Sequence, residues 1–129
     1  VMVDVDPRRI KRIIRNLISN ALDHRENQRV DVRIAESDNE VSVGVRDYGS
    51  GFNYTDRKML FERFWRADSS RARSTGGTGL GLSISLEDAK LHQGEIEVWG
   101  ERGRGAHFVL TIPKYAGGSI ESRPISAQL

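Results

Sequence analysis

The chain has 129 residues, about the length of one domain, and 37% of them are hydrophobic, which suffices for a single core. Sixteen arginines outnumber four lysines, but the net charge is only +2, too small an excess to indicate a nucleic-acid binder, although arginine suits phosphate and carboxylate. The chain contains no cysteine, which excludes disulfide and thiol chemistry, and no run approaches the roughly 18 apolar residues of a membrane span. We therefore expect a soluble fragment of a longer protein, without direct membrane contact.

The first 24 residues predict a short strand followed by a long helix. Residues 1–5 (VMVDV) are strand-like. Asp6 and Pro7 then predict a helix start, with the aspartate as N-cap and the proline at the first helical position. Apolar residues recur at helical spacing as far as His24, where we expect the helix to end.

An antiparallel hairpin is predicted next. Residues 30–34 and 41–45 alternate valine or isoleucine with other residues, and a Ser-Asp-Asn turn lies between the two runs. The glycine-punctuated sequence DYGSGF at residues 47–52 predicts a loop, and residues 56–65 could form one or two short helices. Residues 66–78 have little apolar content, so we expect a mobile loop there.

The remaining elements are a second long helix, a closing hairpin and a tail. Residues 79–92 predict the helix, with Leu80, Ile84 and Leu91 among its inward-facing side chains. Apolar alternation around a turn at residues 102–105 predicts the hairpin. Residues 115–129 are polar and non-periodic, so we expect a disordered tail after a domain that spans residues 1–114.

These elements favour an α/β fold with two layers. Alternating strands have one buried face each, and two long helices can cover only one side of such a sheet. The economical arrangement is a two-layer α/β sandwich, a mixed sheet covered on one face by helices.

Polar side chains border the apolar stripe of the first helix. Asn16, Asn20 and Asp23 lie at positions i, i+4 and i+7, so they share one helix face. An amide oxygen is a suitable ligand for a Mg²⁺ ion that also keeps waters and nucleotide phosphates. On the helix alone, an ordinary solvated face with incidental amides is an equally good interpretation.

Two glycine-containing segments complete the candidate site. Asp47 stands at a strand end before Gly49 and Gly51, where a carboxylate could accept a proton from the adenine amine; an ordinary aspartate turn is the simpler interpretation of that segment alone. The stretch RSTGGTGLGLS, residues 73–83, runs into the second helix, whose N-terminus suits phosphate. It matches neither the P-loop nor the dinucleotide fingerprint, and a flexible linker is the alternative.

Taken together and in this order, the motifs resemble the ATP-binding catalytic domain of bacterial sensor histidine kinases, a GHKL (HATPase_c) domain. NLISNALDH (residues 16–24) resembles the N box of that family, DYGSGF (47–52) the G1 box, FERFWRAD (61–68) the F box and GTGLGLS (77–83) the G2 box. The resemblance extends from residue 1 to about residue 114. Residues 63–92 are similar in particular to actinobacterial MtrB-type kinases.

This resemblance implies a Bergerat-type sandwich that holds ATP between the long helices and a mobile lid. It implies that Asn20 is the Mg²⁺ ligand, that Asn16 lies near the phosphates and that Asp47 binds the adenine amine. It further implies a pocket shaped by Gly49 and Gly51. The remaining implied nucleotide contacts come from the lid and its anchor: Arg63, Arg66, Gly77, Thr78, Gly79, Leu80, Gly81 and Leu82.

The implied reaction is phosphoryl transfer from ATP to a histidine on a separate dimerisation domain of the same kinase. Nothing in this chain resembles that domain, so the isolated chain is expected to be a monomer that binds ATP without phosphorylating itself. A response regulator would be the partner of the full-length kinase, on the cytoplasmic side of an inner membrane that anchors it. The sequence departs from many relatives at Asp23-His24, where a Lys-Tyr pair is common, and this leaves the role of both residues open.

Two other functions compete with the kinase interpretation. ATP hydrolases of the same fold carry a glutamate where this chain has Asn16, and a missing general base favours the kinase. A non-catalytic docking module that uses Phe61, Phe64 and Trp65 is the third interpretation, although large apolar residues usually lie buried.

Overall fold

The computed structural model describes residues 2–24, 28–62 and 81–128. Its elements, in chain order, are helix α1 (Pro7–His24), strands β1 (Val30–Glu36) and β2 (Glu40–Asp47), a 3₁₀ helix (Tyr54–Phe61), helix α2 (Gly81–Leu91), and strands β3 (Glu95–Glu101) and β4 (Gly105–Pro113). The predicted helices and hairpins are confirmed wherever they fall on described residues, and the predicted short helices become the single 3₁₀ helix.

Helix α1 begins as its sequence predicts. The Asp6 carboxylate accepts the backbone N–H of Arg8 at 3.0 Å, so the aspartate caps the helix while Pro7 occupies its first position. The strand predicted over residues 1–5 is not formed among the described residues, because the one ladder-like contact there is Asp4 N–H to the Lys114 carbonyl at 2.8 Å.

The four strands form one sheet in the order β1-β2-β4-β3. All its pairings are antiparallel, with Val45 opposite both Val32 and Phe108. The expected mixed sheet is therefore wrong for the described strands, since the two hairpins are antiparallel and the central β2–β4 pair that joins them is antiparallel as well. The two-layer α/β sandwich itself is confirmed.

The main core lies between the helices and the inner face of the sheet. Helix α1 contributes Ile13, Leu17 and Ala21, all at most 1% exposed, and they pack with buried side chains of β2 and β4. The helices leave the edge strand uncovered, since Ile34 on the inner face of β1 is 64% exposed. Leu91, predicted to face inward from α2, is 60% exposed, because it is the last residue of the helix.

The second face of the sheet, called the outer face below, carries the C-terminal segment. We predicted disorder for residues 115–129, but the structure packs the described part of this segment against the sheet. Ile125 is 4% exposed and Ala127 is 3% exposed, in a small cluster with Trp99 and Val109. The prediction failed because the few apolar residues of this segment do not recur periodically, yet Ile125 and Ala127 suffice to form a small cluster with the sheet.

Candidate functional site

The two long helices lie antiparallel and are joined at one end by charge. Asp88 is 1% exposed, and its carboxylate accepts hydrogen bonds from Arg12 at 2.8 and 2.9 Å and from Arg9 at 2.9 Å. The hydrogen bonds from Arg12 lower the pKa of Asp88 more than its burial raises it. Next to this cluster of Arg9, Arg12 and Asp88, the backbone N–H of Asp6 donates to His92 Nε2 at 3.0 Å. The start of α1 is thereby fixed against the end of α2.

The sequence analysis did not predict the ion pairs of Asp88 with Arg9 and Arg12. The pattern that could have revealed them is a pair of arginines at i and i+3 on α1 together with an aspartate at an inward position of α2. Because charged residues are buried almost only when paired, the inward position of Asp88 was the clue.

One turn further along α1, an amide joins the helices. The Asn16 side chain is half-buried and donates to Ser85 Oγ at 3.1 Å and to the Gly81 carbonyl at 3.3 Å. Ser85 Oγ itself donates to the same carbonyl at 2.9 Å. Asn16 therefore lies against the first turn of α2, which is where the G2 box enters the helix. The contact also fixes Gly81, one of the predicted nucleotide residues, at the start of α2.

Asn20 lies between Asn16 and His24 on the same face of α1. It is half-buried and follows Asn16 by one turn, a rise of about 6 Å. Because the helices are antiparallel, this step leads beyond Gly81, the first residue of α2. The next turn brings His24, the last residue of α1, close enough to Asp47 for its positive charge to lower the pKa of that carboxyl.

Asp47 is a buried carboxylate at the end of β2, only 1% exposed. Its Oδ1 accepts the backbone N–H of Gly49 at 3.0 Å. Burial raises the pKa of Asp47, whereas the N–H groups of Gly49 and Ala106 and the charges of His24 and Arg46 oppose that rise. A buried carboxylate that is held by backbone N–H groups has a fixed direction, which is what recognition of a hydrogen-bond donor needs.

The second glycine of the G1 box, Gly51, lies directly against the β3–β4 hairpin. Gly51 has φ +68°, and a Cβ on it would lie 2.1 Å from the Glu101 carbonyl oxygen. Gly105, at φ +86°, would likewise clash with the Asp47 carbonyl oxygen at 2.2 Å. The two glycines let the loop after β2 lie directly on the β3–β4 hairpin. Gly51 thus positions the Asp47 loop through backbone packing.

Phe52 anchors the same loop. The side chain is 4% exposed and lies over Gly100, where a Cβ would approach the phenyl ring to 2.2 Å. Phe61, proposed above for a docking surface, packs instead against the main core, as does the predicted nucleotide residue Leu82.

Several predicted residues lie outside the described part of the chain. These are the lid and G2-box positions Arg63, Arg66, Gly77, Thr78, Gly79 and Leu80, together with Phe64 and Trp65. Within residues 2–24, 28–62 and 81–128, no helix is long and apolar enough to cross a membrane. The same part of the chain holds no group of three or more histidine, aspartate or glutamate side chains that could bind a metal.

Comparison with known families gives a match over most of the chain. Residues 5–116 match the family described as histidine kinase-, DNA gyrase B-, and HSP90-like ATPase. The sensor histidine kinase MtrB of Mycobacterium leprae is 53% identical over 125 residues, which are 97% of this chain and 22% of that protein. The chain therefore spans about a fifth of this relative. Because the match leaves out only 3% of the chain, it continues past residue 116 into the C-terminal segment.

Solved structures show the same fold. The mycobacterial sensor histidine kinase MprB superposes with a TM-score of 0.76 at 28% identity and covers 88% of this chain and 78% of its own. Full-length ShkA, crystallised in complex with AMPPNP, superposes with a TM-score of 0.71 at 29% identity over 91% of this chain and 23% of its own.

Proposed function

The chain belongs to the family of histidine kinase-, DNA gyrase B- and HSP90-like ATPases, in its sensor histidine kinase branch, and we propose that it binds Mg-ATP and presents the γ-phosphoryl group to a histidine on a separate dimerisation domain. The observation that carries the proposal is the contact of Asn16 with Gly81 and Ser85. It brings the N box against the first turn of α2, whose N–H groups and partial positive charge suit phosphate.

Each end of the nucleotide is assigned to a described residue. Asp47 would accept a hydrogen bond from the exocyclic amine of adenine, because its carboxylate is buried and oriented by the Gly49 N–H. Asn20 would bind Mg²⁺ through its amide oxygen, with phosphate oxygens and waters as the other ligands. The metal would neutralise charge that develops on the phosphates during transfer. The AMPPNP bound to ShkA supports an adenine nucleotide as the ligand.

The acceptor of the phosphoryl group is assigned to another domain. His92 Nε2 accepts a backbone N–H and its Nδ1 contacts the Asp88 carbonyl, and His107 is 6% exposed with Nδ1 on the Ala127 carbonyl. Neither ring is placed to attack a phosphate. Transfer breaks the bond between the γ-phosphorus and its bridging oxygen, forms an N–P bond and releases the imidazole proton. The full-length kinase would then pass the phosphoryl group to a response regulator.

The test is calorimetric titration with AMPPNP, with and without Mg²⁺. We expect wild-type binding to depend on Mg²⁺, Asp47→Asn to weaken binding at least tenfold, roughly the effect of one charge-assisted hydrogen bond, and Asn20→Asp to change the Mg²⁺ dependence. Asp38→Asn is the matched control, because Asp38 is exposed in the β1–β2 turn and its variant should bind normally. Absence of binding by a folded wild-type chain would refute the proposal.

A further inference from the structure

The C-terminal segment crosses the outer face of the sheet, on the side opposite the helices. Its first anchor is Glu40 at the start of β2, which is 2% exposed. The Glu40 carboxylate accepts the backbone N–H groups of Glu121 at 2.8 Å and Ser122 at 3.3 Å, and the Ser122 hydroxyl at 2.9 Å. Together with a hydrogen bond from Ser37, these contacts lower the pKa of Glu40 to about 2.

Two further polar anchors follow along the segment. The Arg123 guanidinium makes a bidentate pair with Glu95 of β3. The Ala127 carbonyl contacts His107 Nδ1 on β4 at 3.0 Å. The segment is therefore fixed on three of the four strands, through its backbone as well as its side chains.

Between these anchors the segment fills an apolar socket. Ile125 lies over Gly44, where a Cβ would be 3.6 Å from Ile125 Cγ2 and 2.9 Å from His107 Nε2. Ala127 is buried two residues later, while Ser126 between them is exposed. Buried and exposed side chains thus alternate over residues 125–127, although the backbone bends at Pro124, Ile125 and Ala127.

We propose that the outer face is a binding groove for a peptide of the pattern Arg-Pro-Ile-Ser-Ala, residues 123–127, and that the chain's own segment occupies it in cis. The residues of the groove fit this pattern: Glu95 pairs with the arginine, the isoleucine packs with Trp99 and Val109, and the same small cluster accepts the alanine. The functional unit then extends to residue 128, beyond the 5–116 region that the family shares. A peptide of the same pattern on another molecule would compete for the groove without touching the nucleotide site.

The experiment uses the full chain and hydrogen exchange read by mass spectrometry. In the wild type, the amides of Glu121, Ser122 and Ala127 should exchange roughly tenfold or more slowly than in Ile125→Asp, in which the segment is released. Ser126→Asp is the matched control, because that side chain is exposed, and it should protect the segment as the wild type does.

A second measurement follows binding in trans by fluorescence anisotropy. A labelled peptide of residues 119–128 should bind the Ile125→Asp protein saturably and the wild type at least tenfold more weakly, since the wild-type groove is filled. The same peptide carrying Ile125→Asp should bind neither protein.

Fast exchange of the segment in the wild type would overturn the proposal. This measurement does not depend on whether the Ile125→Asp variant folds. Protection that rises with protein concentration would overturn the cis assignment, because the segment would then come from a second copy. Equal peptide binding by the wild type and Ile125→Asp would also overturn it. Nucleotide binding is read separately, so failure of the nucleotide site would leave these results unchanged.

Discussion

Replacing Gly51 by alanine tests how the nucleotide loop is positioned. Gly51 and Gly103 both have positive φ, +68° and +83°. A Cβ at Gly51 would lie 2.1 Å from the Glu101 carbonyl oxygen and 2.8 Å from that of Gly105, whereas a Cβ at Gly103 meets nothing within 4 Å. The two substitutions therefore share the conformational strain, and only Gly51→Ala adds a collision with backbone.

The expected magnitudes follow from these two terms. Alanine in the left-handed region costs about 1–2 kcal/mol, which is offset by roughly 0.4–1 kcal/mol from lower entropy of the unfolded chain. Gly103→Ala should thus lower the free energy of unfolding by about 1 kcal/mol. Forcing an atom into packed surroundings adds about 1–3 kcal/mol, so Gly51→Ala should lose roughly 2–4 kcal/mol. At roughly 4 °C per kcal/mol for a domain of this size, its Tm should fall by about 8–16 °C.

Thermal unfolding followed by circular dichroism, with AMPPNP titration below both transitions, measures the effect. We expect Gly51→Ala to weaken nucleotide binding at least tenfold, about the effect of one displaced polar contact, because the loop that orients Asp47 must move, and Gly103→Ala to bind as the wild type does. Equal Tm values for the two variants would show that the close approach of the loop to the hairpin does not determine the position of the site.

Three further predictions concern other parts of the chain. Asn16→Ala removes the donor to Ser85 and Gly81, so it should lower the free energy of unfolding by about 1 kcal/mol. In calorimetry it should weaken AMPPNP binding about fivefold to tenfold, whereas the control Ser19→Ala, at an exposed position, should bind as the wild type does. Unchanged affinity of Asn16→Ala would contradict the role of this contact. Glu40 has a folded pKa of about 2 against an ordinary 4.5, so its stabilising contribution should be complete above pH 4.5 and lost as the pH falls towards 2. Urea unfolding of Glu40→Gln should therefore differ from the wild type at pH 6 and converge with it near pH 2, and a constant difference would refute the assignment. Purified wild-type chain should bind ATP with almost no phosphate release in a coupled assay, because Asn16 occupies the position of a hydrolase's general base; sustained turnover would favour the hydrolase.

The helices and hairpins could be predicted because their patterns are local. The Asp6-Pro7 start, the apolar stripe of α1 and the two alternating strand pairs each depend on neighbours within one element. The G1 and N boxes could be located for a related reason, since each occupies one short stretch of sequence. Their convergence in space follows from the fold that the resemblance implied.

Contacts between distant segments were beyond the sequence pattern. In the sequence, Asp88 is one more polar residue of α2, and its role depends on Arg9 and Arg12, which are 79 and 76 residues away. Gly51 has the pattern of an ordinary loop glycine, and the need for glycine there comes from its contact with the distant β3–β4 hairpin. The C-terminal segment was missed for the same reason, because Ile125 and Ala127 have no periodic neighbours and their burial depends on Trp99 and Val109 in distant strands.

The face of α1 that carries the site is organised by a repeat of four residues. Arg12, Asn16, Asn20 and His24 follow one another at i, i+4 spacing, so they form one row along the helix. The first two contact α2 at Asp88 and Gly81, and the last lies near Asp47. Asn20 is therefore the row's only member between the start of α2 and the end of β2.

The charges along this row explain why neutral amides occupy its middle. At the far end, the arginines neutralise Asp88, which would otherwise face the negative end of α2. At the first turn of α2, Asn16 is uncharged, so it does not neutralise the partial positive charge of the helix N-terminus. The Asn16 amide donates to the Gly81 carbonyl, a contact that a carboxylate, which has only acceptors, could not make. Under our proposal, the Asn20 amide one turn later supplies an oxygen to the metal, so one helix face would both hold α2 and bind the metal.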